Sequence, residues 1–256
     1  MVWAWALAGA FGSAAMSERI MGRPGLSRPG EDAAWGSLRE RVTISLRPIG
    51  GPTAIGFFGL AAATFVVSGL QLGWVGLAEG KNVALVLAGF AFVAQIVAAV
   101  FCLLARDGVA ATAMSVLALT WLVVGLVLLT SKPGSTTGAL GLFLLVSGAA
   151  MVLTSLTAAL SKLVPAAVFG LAALRFFATA GYELSGRQAW EQAAGVLGLL
   201  LFALALYAAW AAELEDALGR TVLPLGRRGR GKVAVHGSLL EQVKDVSTRP
   251  GVREQL

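Results

Sequence analysis

Apolar positions in this chain gather into six long runs, and charged residues, Arg175 apart, are confined to the short stretches between them and to the two ends. The runs cover residues 50–75, 83–105, 109–130, 138–161, 164–182 and 193–212. Each is close to 20 residues or longer, the length that crosses a hydrocarbon core of about 30 Å. In water such segments would have no polar face to show; in lipid their backbone groups must be satisfied internally, so each is read as a helix. The connections at 76–82, 106–108, 131–137, 162–163 and 183–192 are brief. Links this short make successive helices antiparallel neighbours and leave no room for an extramembrane domain. The expected fold is all-α: a polytopic membrane protein with six transmembrane helices in one bundle over residues 49–212. A flexible basic tail precedes it over 1–48, and a C-terminal segment with a basic tail follows over 213–256. Residues 1–15 resemble a weak leader without a positive start, and Met16 or Met21 could open the chain instead.

The first run carries the most chemistry. Gly51-Pro52 opens it, and Gly56 and Gly59 leave its first turns bare, which suits close helix contact or an open mouth. Gly69 and Gly73 form a G-x-x-x-G step of the kind that favours tight helix packing. Ser68 and Gln71 are three apart and so share a helix face, where intramembrane polar groups need partners.

Composition agrees with the pattern. Apolar residues make up 57% of the chain and charged residues 13%, with a mean hydropathy of +0.78. Soluble domains carry about 25% charged residues. The single Cys102 excludes an intramolecular disulfide, and the single His236 excludes a His-cluster metal site; no cofactor is expected. Sixteen Lys and Arg fall in the two tails and at Arg106 and Lys162, against three (Lys81, Lys132, Arg187) on the opposite side. By the positive-inside rule both termini are cytoplasmic. The net charge of +6 therefore reports orientation, with added attraction to anionic lipid, and not nucleic-acid binding. Fifteen Arg against five Lys in an Ala-, Gly- and Leu-rich chain suggests a GC-rich bacterial genome, and a bacterial plasma membrane is the expected location.

Past the last run, Gly219-Arg220-Thr221-Val222-Leu223-Pro224-Leu225-Gly226 resembles the G-R-T-V-L-P-[IL]-G signature of the acetate uptake transporter family, the YaaH-like acetate/succinate–proton symporters. Ala205-Leu206-Tyr207, Ala94-Gln95-Ile96, Thr112-Ala113 and Trp121 are similar to that family's sixth, second and third helices. Gly51-Pro52-Thr53-Ala54-Ile55-Gly56 resembles its N-P-A-P-L-G opening motif, with Gly51 in place of Asn and Ala54 in place of the second Pro. Cys102 stands where the family has a Glu. Its central constriction, usually aromatic on helices one and three, aligns with Leu60 and Leu117, and the fifth-helix member with Ala172. The resemblance implies a homo-oligomer such as a hexamer, with a pathway in each protomer and a small carboxylate plus protons as cargo. The gate it implies here is aliphatic and wider.

The residues have readings of their own beside that likeness. A ring of Leu60, Leu117 and Ala172 could close a pore by dewetting, or be ordinary core. Gln95 offers an amide to a passing carboxylate or to a neighbouring helix. Thr112, Ser115 and Thr120 bond more readily to their own helix carbonyls than to solute, and Cys102 reads as packing. Gly219 ends the last helix and Pro224 prevents its resumption. Glu183 and Glu191, with Arg187 between them, read as a solvated cluster in a loop. Arg175 is the one charge well inside a run, at an insertion cost of about 2.5–3.5 kcal/mol. It either snorkels toward Tyr182 and the outer interface, or shares a face with Ala172 and holds a carboxylate one turn outside the gate. No nucleophile–base set appears, so an enzyme is not expected. Two functions remain: a transporter or channel-like pathway for small carboxylates such as acetate or succinate, or a non-transporting sensor or assembly partner acting through its basic tails.

Overall fold

The computed structural model describes residues 50–229 and 231–232, so the N-terminal tail, the leader reading and most of the C-terminal tail lie outside the described residues. Each apolar run is a helix long and apolar enough to cross a membrane: α1 Thr53–Gln71, α2 Leu77–Leu104, α3 Gly108–Thr130, α4 Gly138–Ala159, α5 Leu163–Ser185 and α6 Gln188–Leu218. Among the described residues there is no β-strand.

The helix ends depart from the hydropathy boundaries for one reason: charged turns can be helical outside the apolar run. α2 starts within the expected 76–82 connection, through a 3₁₀ turn at Leu77–Glu79. α6 gains a polar turn before its apolar run and the acidic turns through Leu218 after it. Glu183 and Glu191 therefore sit on α5 and α6, not in a loop, and only Gly186 and Arg187 separate those helices. The described part of 213–256 is helix to Leu218, ends that helix at Gly219 as expected, and then packs back on the bundle.

α1 is shorter than its run. It stops at Gln71, and Gly73 (φ +72°) turns the chain outside it. Gly69 and Gly73 thus form no helical G-x-x-x-G ridge. The close contact is made instead by Gly56 and Gly59. A Cβ on Gly56 would come within 2.6 Å of Met114 Sδ on α3, and one on Gly59 within 2.9 Å of Ala94 on α2.

Every helix packs against its neighbours in sequence, and α6 closes back on α1, so the six form a ring. α2 is interrupted by a π turn at Leu87–Ala91, a local widening of the kind that recurs at functional sites. Side chains turned into the ring, such as Leu60, Leu117, Ala172 and Leu201, are fully buried. Leu85, Leu103, Val146, Leu153 and Leu156 on the outside are exposed, as a lipid-facing surface would be. Trp74 and Trp190 at one end and Trp210 at the other are also exposed, in the positions of two interfacial aromatic belts.

Candidate functional site

Two cavities enter the ring from opposite ends. The larger, about 350 Å³, lies at the end where α1 begins and α6 finishes; its lining includes Pro52, Phe57, Cys102, Asp107, Phe169 and Arg227. The smaller, about 90 Å³, lies at the far end, among Val67, Gln71, Lys81, Lys132, Thr179 and Glu183. From Phe169 to Thr179 on α5 is ten residues, about 15 Å of helix. That length of buried side chains separates the two.

The separation is layered. Phe57 of α1 meets Phe169 of α5 with ring centroids 6.2 Å apart, at the floor of the larger cavity. One turn further in on the same helices come Leu60 and Ala172, with Leu117 on α3, all three without exposed surface. One turn beyond these, Trp121 of α3 stands edge-on to Phe176 of α5 at 6.1 Å. By helix register these three buried aliphatic residues lie between two aromatic pairs. Phe57, Phe169 and Phe176 were not singled out in sequence, since a Phe in an apolar run carries no signal of its own. The 3.6-residue period relating each to Leu60 or Ala172 could have found them.

Arg175 lies next to the outer aromatic pair, in the middle of α5. It is only 2% exposed and turned into the ring, so it does not snorkel to a lipid-facing interface. Its guanidinium lies 5.2 Å from the Trp121 ring centroid, and one terminal nitrogen donates to Gln71 Oε1 at 3.1 Å. Its Nε has no acceptor, and neither does the buried Ser68 hydroxyl one turn before Gln71 find a partner. Among the described residues no carboxylate is paired with it. The guanidinium fits because α6 offers Gly198 at this level: a Cβ there would stand 2.7 Å from Arg175 Nε and 2.1 Å from Ser68 Oγ. Ser68, Gln71 and Arg175, named separately in sequence, thus come together; Trp121 and Gly198 complete the group.

The other expected positions are spread out. Pro52 lines the larger cavity. Gln95 is fully buried and donates to the Gly56 carbonyl at 3.4 Å, tying α2 to α1, while its own carbonyl is unpartnered. Thr112 is exposed, lines neither cavity and donates to Gly108 O; Thr120 donates to Val116 O. Cys102 is buried against the larger cavity. Thr137 N donates to Glu183, so that carboxylate supports the start of α4.

The closing motif is structural in its contacts. Gly219 (φ +62°) ends α6 in the left-handed conformation. The chain then runs back over the start of α5, where Leu163 N and Val164 N donate to the carbonyls of Gly226 and Leu225. These two N–H groups belong to the first turn of α5 and have no partner within their own helix. Tyr207 Oη donates to Pro224 O at 3.0 Å, and Thr221 and Arg227 both donate to Glu215. Arg220 and Val222 are exposed, and Leu223 and Pro224 line neither cavity.

The profile of the GPR1/FUN34/yaaH family matches residues 38–218. The chain is similar to the solved structure of the bacterial acetate channel SatP, with a TM-score of 0.63 at 24% identity over 70% of this chain and 100% of that one. At this identity the likeness shows the fold. No curated protein matches the chain.

Proposed function

We propose that this chain, which belongs to the GPR1/FUN34/yaaH family, is a transmembrane pathway for small carboxylates such as acetate or succinate. The observation that carries the reading is the pair of cavities entering one helical ring from opposite ends, with a buried apolar plug and one cation between them. The fold it shares with a bacterial acetate channel supports the same reading. Pro52 and Gly56 would shape the inner mouth, and Gln95 would brace α1 against α2. Leu60, Leu117 and Ala172, with the flanking aromatic pairs, would form a gate that shuts by excluding water. Ser68, Gln71 and Arg175 would receive the anion.

The same proposal places the described chain ends on the cytoplasmic side of a bacterial plasma membrane, as the Lys and Arg distribution favours. It includes proton coupling and a homo-oligomer, hexameric as the family likeness implies, with one pathway in each protomer. Uptake of labelled acetate into proteoliposomes, with and without an imposed pH gradient, tests it. Saturable uptake above empty liposomes is expected, rising with an inward proton gradient. Absence of uptake for acetate, propionate and succinate alike would refute the transport reading, and indifference to the gradient would refute the coupling.

A further inference from the structure

We propose that Arg175, Gln71 and Ser68 form a binding station for a monocarboxylate at the floor of the far-end cavity, in which the Gln71 carbonyl occupies the place of the substrate carboxylate. The inference rests on the transport reading and names the class of anion its outer site selects.

The guanidinium is the starting point. Arg carries five N–H donors in a planar fork and is always charged. Here one donor has an acceptor, Gln71 Oε1, and that acceptor is neutral. The other close electrostatic partner, the face of Trp121, is neutral as well. A whole positive charge thus sits in a water-excluded layer with no anion paired to it among the described residues. Intramembrane charges usually mark a substrate or ion pathway.

The position of Gln71 supplies the second step. Gln71 lines the far-end cavity and Arg175 does not. The amide therefore lies between the cavity and the cation. An amide oxygen imitates one oxygen of a carboxylate and lacks both the second oxygen and the charge. A carboxylate arriving from the cavity would take two parallel N–H···O bonds where Gln71 has one, and charge-assisted bonds are roughly twice as strong as neutral ones. Gln71 would swing aside toward the cavity, and Ser68 Oγ, buried and without a partner, would then be available as a further donor.

Charge at the far-end cavity sets the class. Lys81 and Lys132 line it together with Glu183 and Glu191, two charges of each sign. The one unmatched charge is Arg175 beneath. A single carboxylate neutralises it; the second carboxylate of succinate would be left in a cavity of about 90 Å³ whose four charged side chains already sum to zero. The station is matched to acetate or propionate over dicarboxylates.

Acetate uptake kinetics in proteoliposomes test this, with wild type, Arg175→Gln, Arg175→Lys and Gln71→Leu compared at equal reconstituted amounts. Arg175→Gln should raise KM roughly tenfold to a hundredfold, the range of one hydrogen bond to a charged group. Arg175→Lys should fall between, since it restores charge without the fork. Gln71→Leu should lower KM about threefold or more, because the competing acceptor is gone, an effect that a purely structural tie between α1 and α5 would not produce. Succinate should compete with acetate at least tenfold more weakly than propionate does. Wild-type KM in Arg175→Gln, an unchanged or raised KM in Gln71→Leu, or equal competition by succinate overturns the station while leaving transport intact. Wild-type protein that moves no carboxylate overturns the transport reading itself, and the station with it.

Discussion

Replacing Gly198 by Ala is the sharpest probe of the buried cluster, because it adds one methyl group and no charge. Built on the α6 backbone, that Cβ would lie 2.1 Å from Ser68 Oγ, 2.7 Å from Arg175 Nε and 3.4 Å from the Thr64 carbonyl. The hydroxyl can rotate away. The guanidinium is held by Gln71 and Trp121 and must move about 0.7 Å to regain an ordinary 3.4 Å contact. A shift of that size along the existing bond would lengthen the Arg175–Gln71 distance from 3.1 Å to about 3.8 Å, beyond hydrogen-bond range. Overpacking costs about 1–3 kcal/mol, and the better helix propensity of Ala returns about 1 kcal/mol. The net loss expected is about 0–2 kcal/mol, a small change in melting temperature. Transport should suffer more than stability. The expected result is a several-fold rise in KM for acetate in a protein that still purifies as a folded species. Gly198→Ala protein with wild-type KM and wild-type melting temperature would refute the placement of Arg175 against α6.

Three further outcomes are expected. Leu117→Trp, in a fully buried layer between the two aromatic pairs, should abolish acetate flux while the protein still inserts and folds; unchanged flux would remove the constriction from this level. In a Cys102→Ala background, an impermeant thiol reagent applied to intact cells should label a Cys at exposed Ser135 and miss one at exposed Val222; labelling at Val222 alone would invert the orientation. Arg227→Ala breaks a largely buried ion pair with Glu215 and should lower stability by about 3 kcal/mol, measured by thermal unfolding in detergent; an unchanged melting temperature would argue that the closing segment does not hold the bundle.

How much of this was legible before the structure differs by element. The six spans were legible because a run of about 20 apolar residues without alternation crosses lipid as a helix and not as a barrel strand, and a run such as 109–130 announces its length directly in its composition. Most of their ends were not, because hydropathy falls where charge begins: α2 and α6 start at Leu77 and Gln188, before their apolar runs, whereas the end of α6 was marked by Gly219. Gly69 and Gly73 misled for a related reason: spacing alone does not tell whether both glycines lie inside the helix, and α1 ends between them. The site was legible residue by residue and not as a site. Arg175 was conspicuous as a lone charge, and Gln71 as a polar end to an apolar run. That they touch across 104 positions of chain is a fact of ring closure, and Gly198, which makes the space, has no chemistry to show in sequence.

The most specific motif in the sequence lies at the end of the chain and contributes no side chain to the plug between the cavities. The contacts of α5 explain how it can still matter to the pathway. That helix supplies Phe169, Ala172, Arg175, Phe176 and Thr179, one or more residues to each level from one cavity to the other. Its far end is fixed by the short link to α6. Its near end follows only three residues, Leu160–Lys162, and would otherwise leave its first N–H groups unpaired. The closing segment supplies the missing acceptors from Leu225 and Gly226, and Glu215 with Arg227 fastens that segment to α6. An axial slip of α5 by one residue, about 1.5 Å with a rotation near 100°, would turn Ala172 and Arg175 off the pathway together. Two backbone hydrogen bonds and an ion pair at the mouth therefore help to hold α5 in the register that every layer behind it shares. On that account the motif acts through backbone geometry at the mouth, and under the proposed function the contact with the anion falls to the layers along α5.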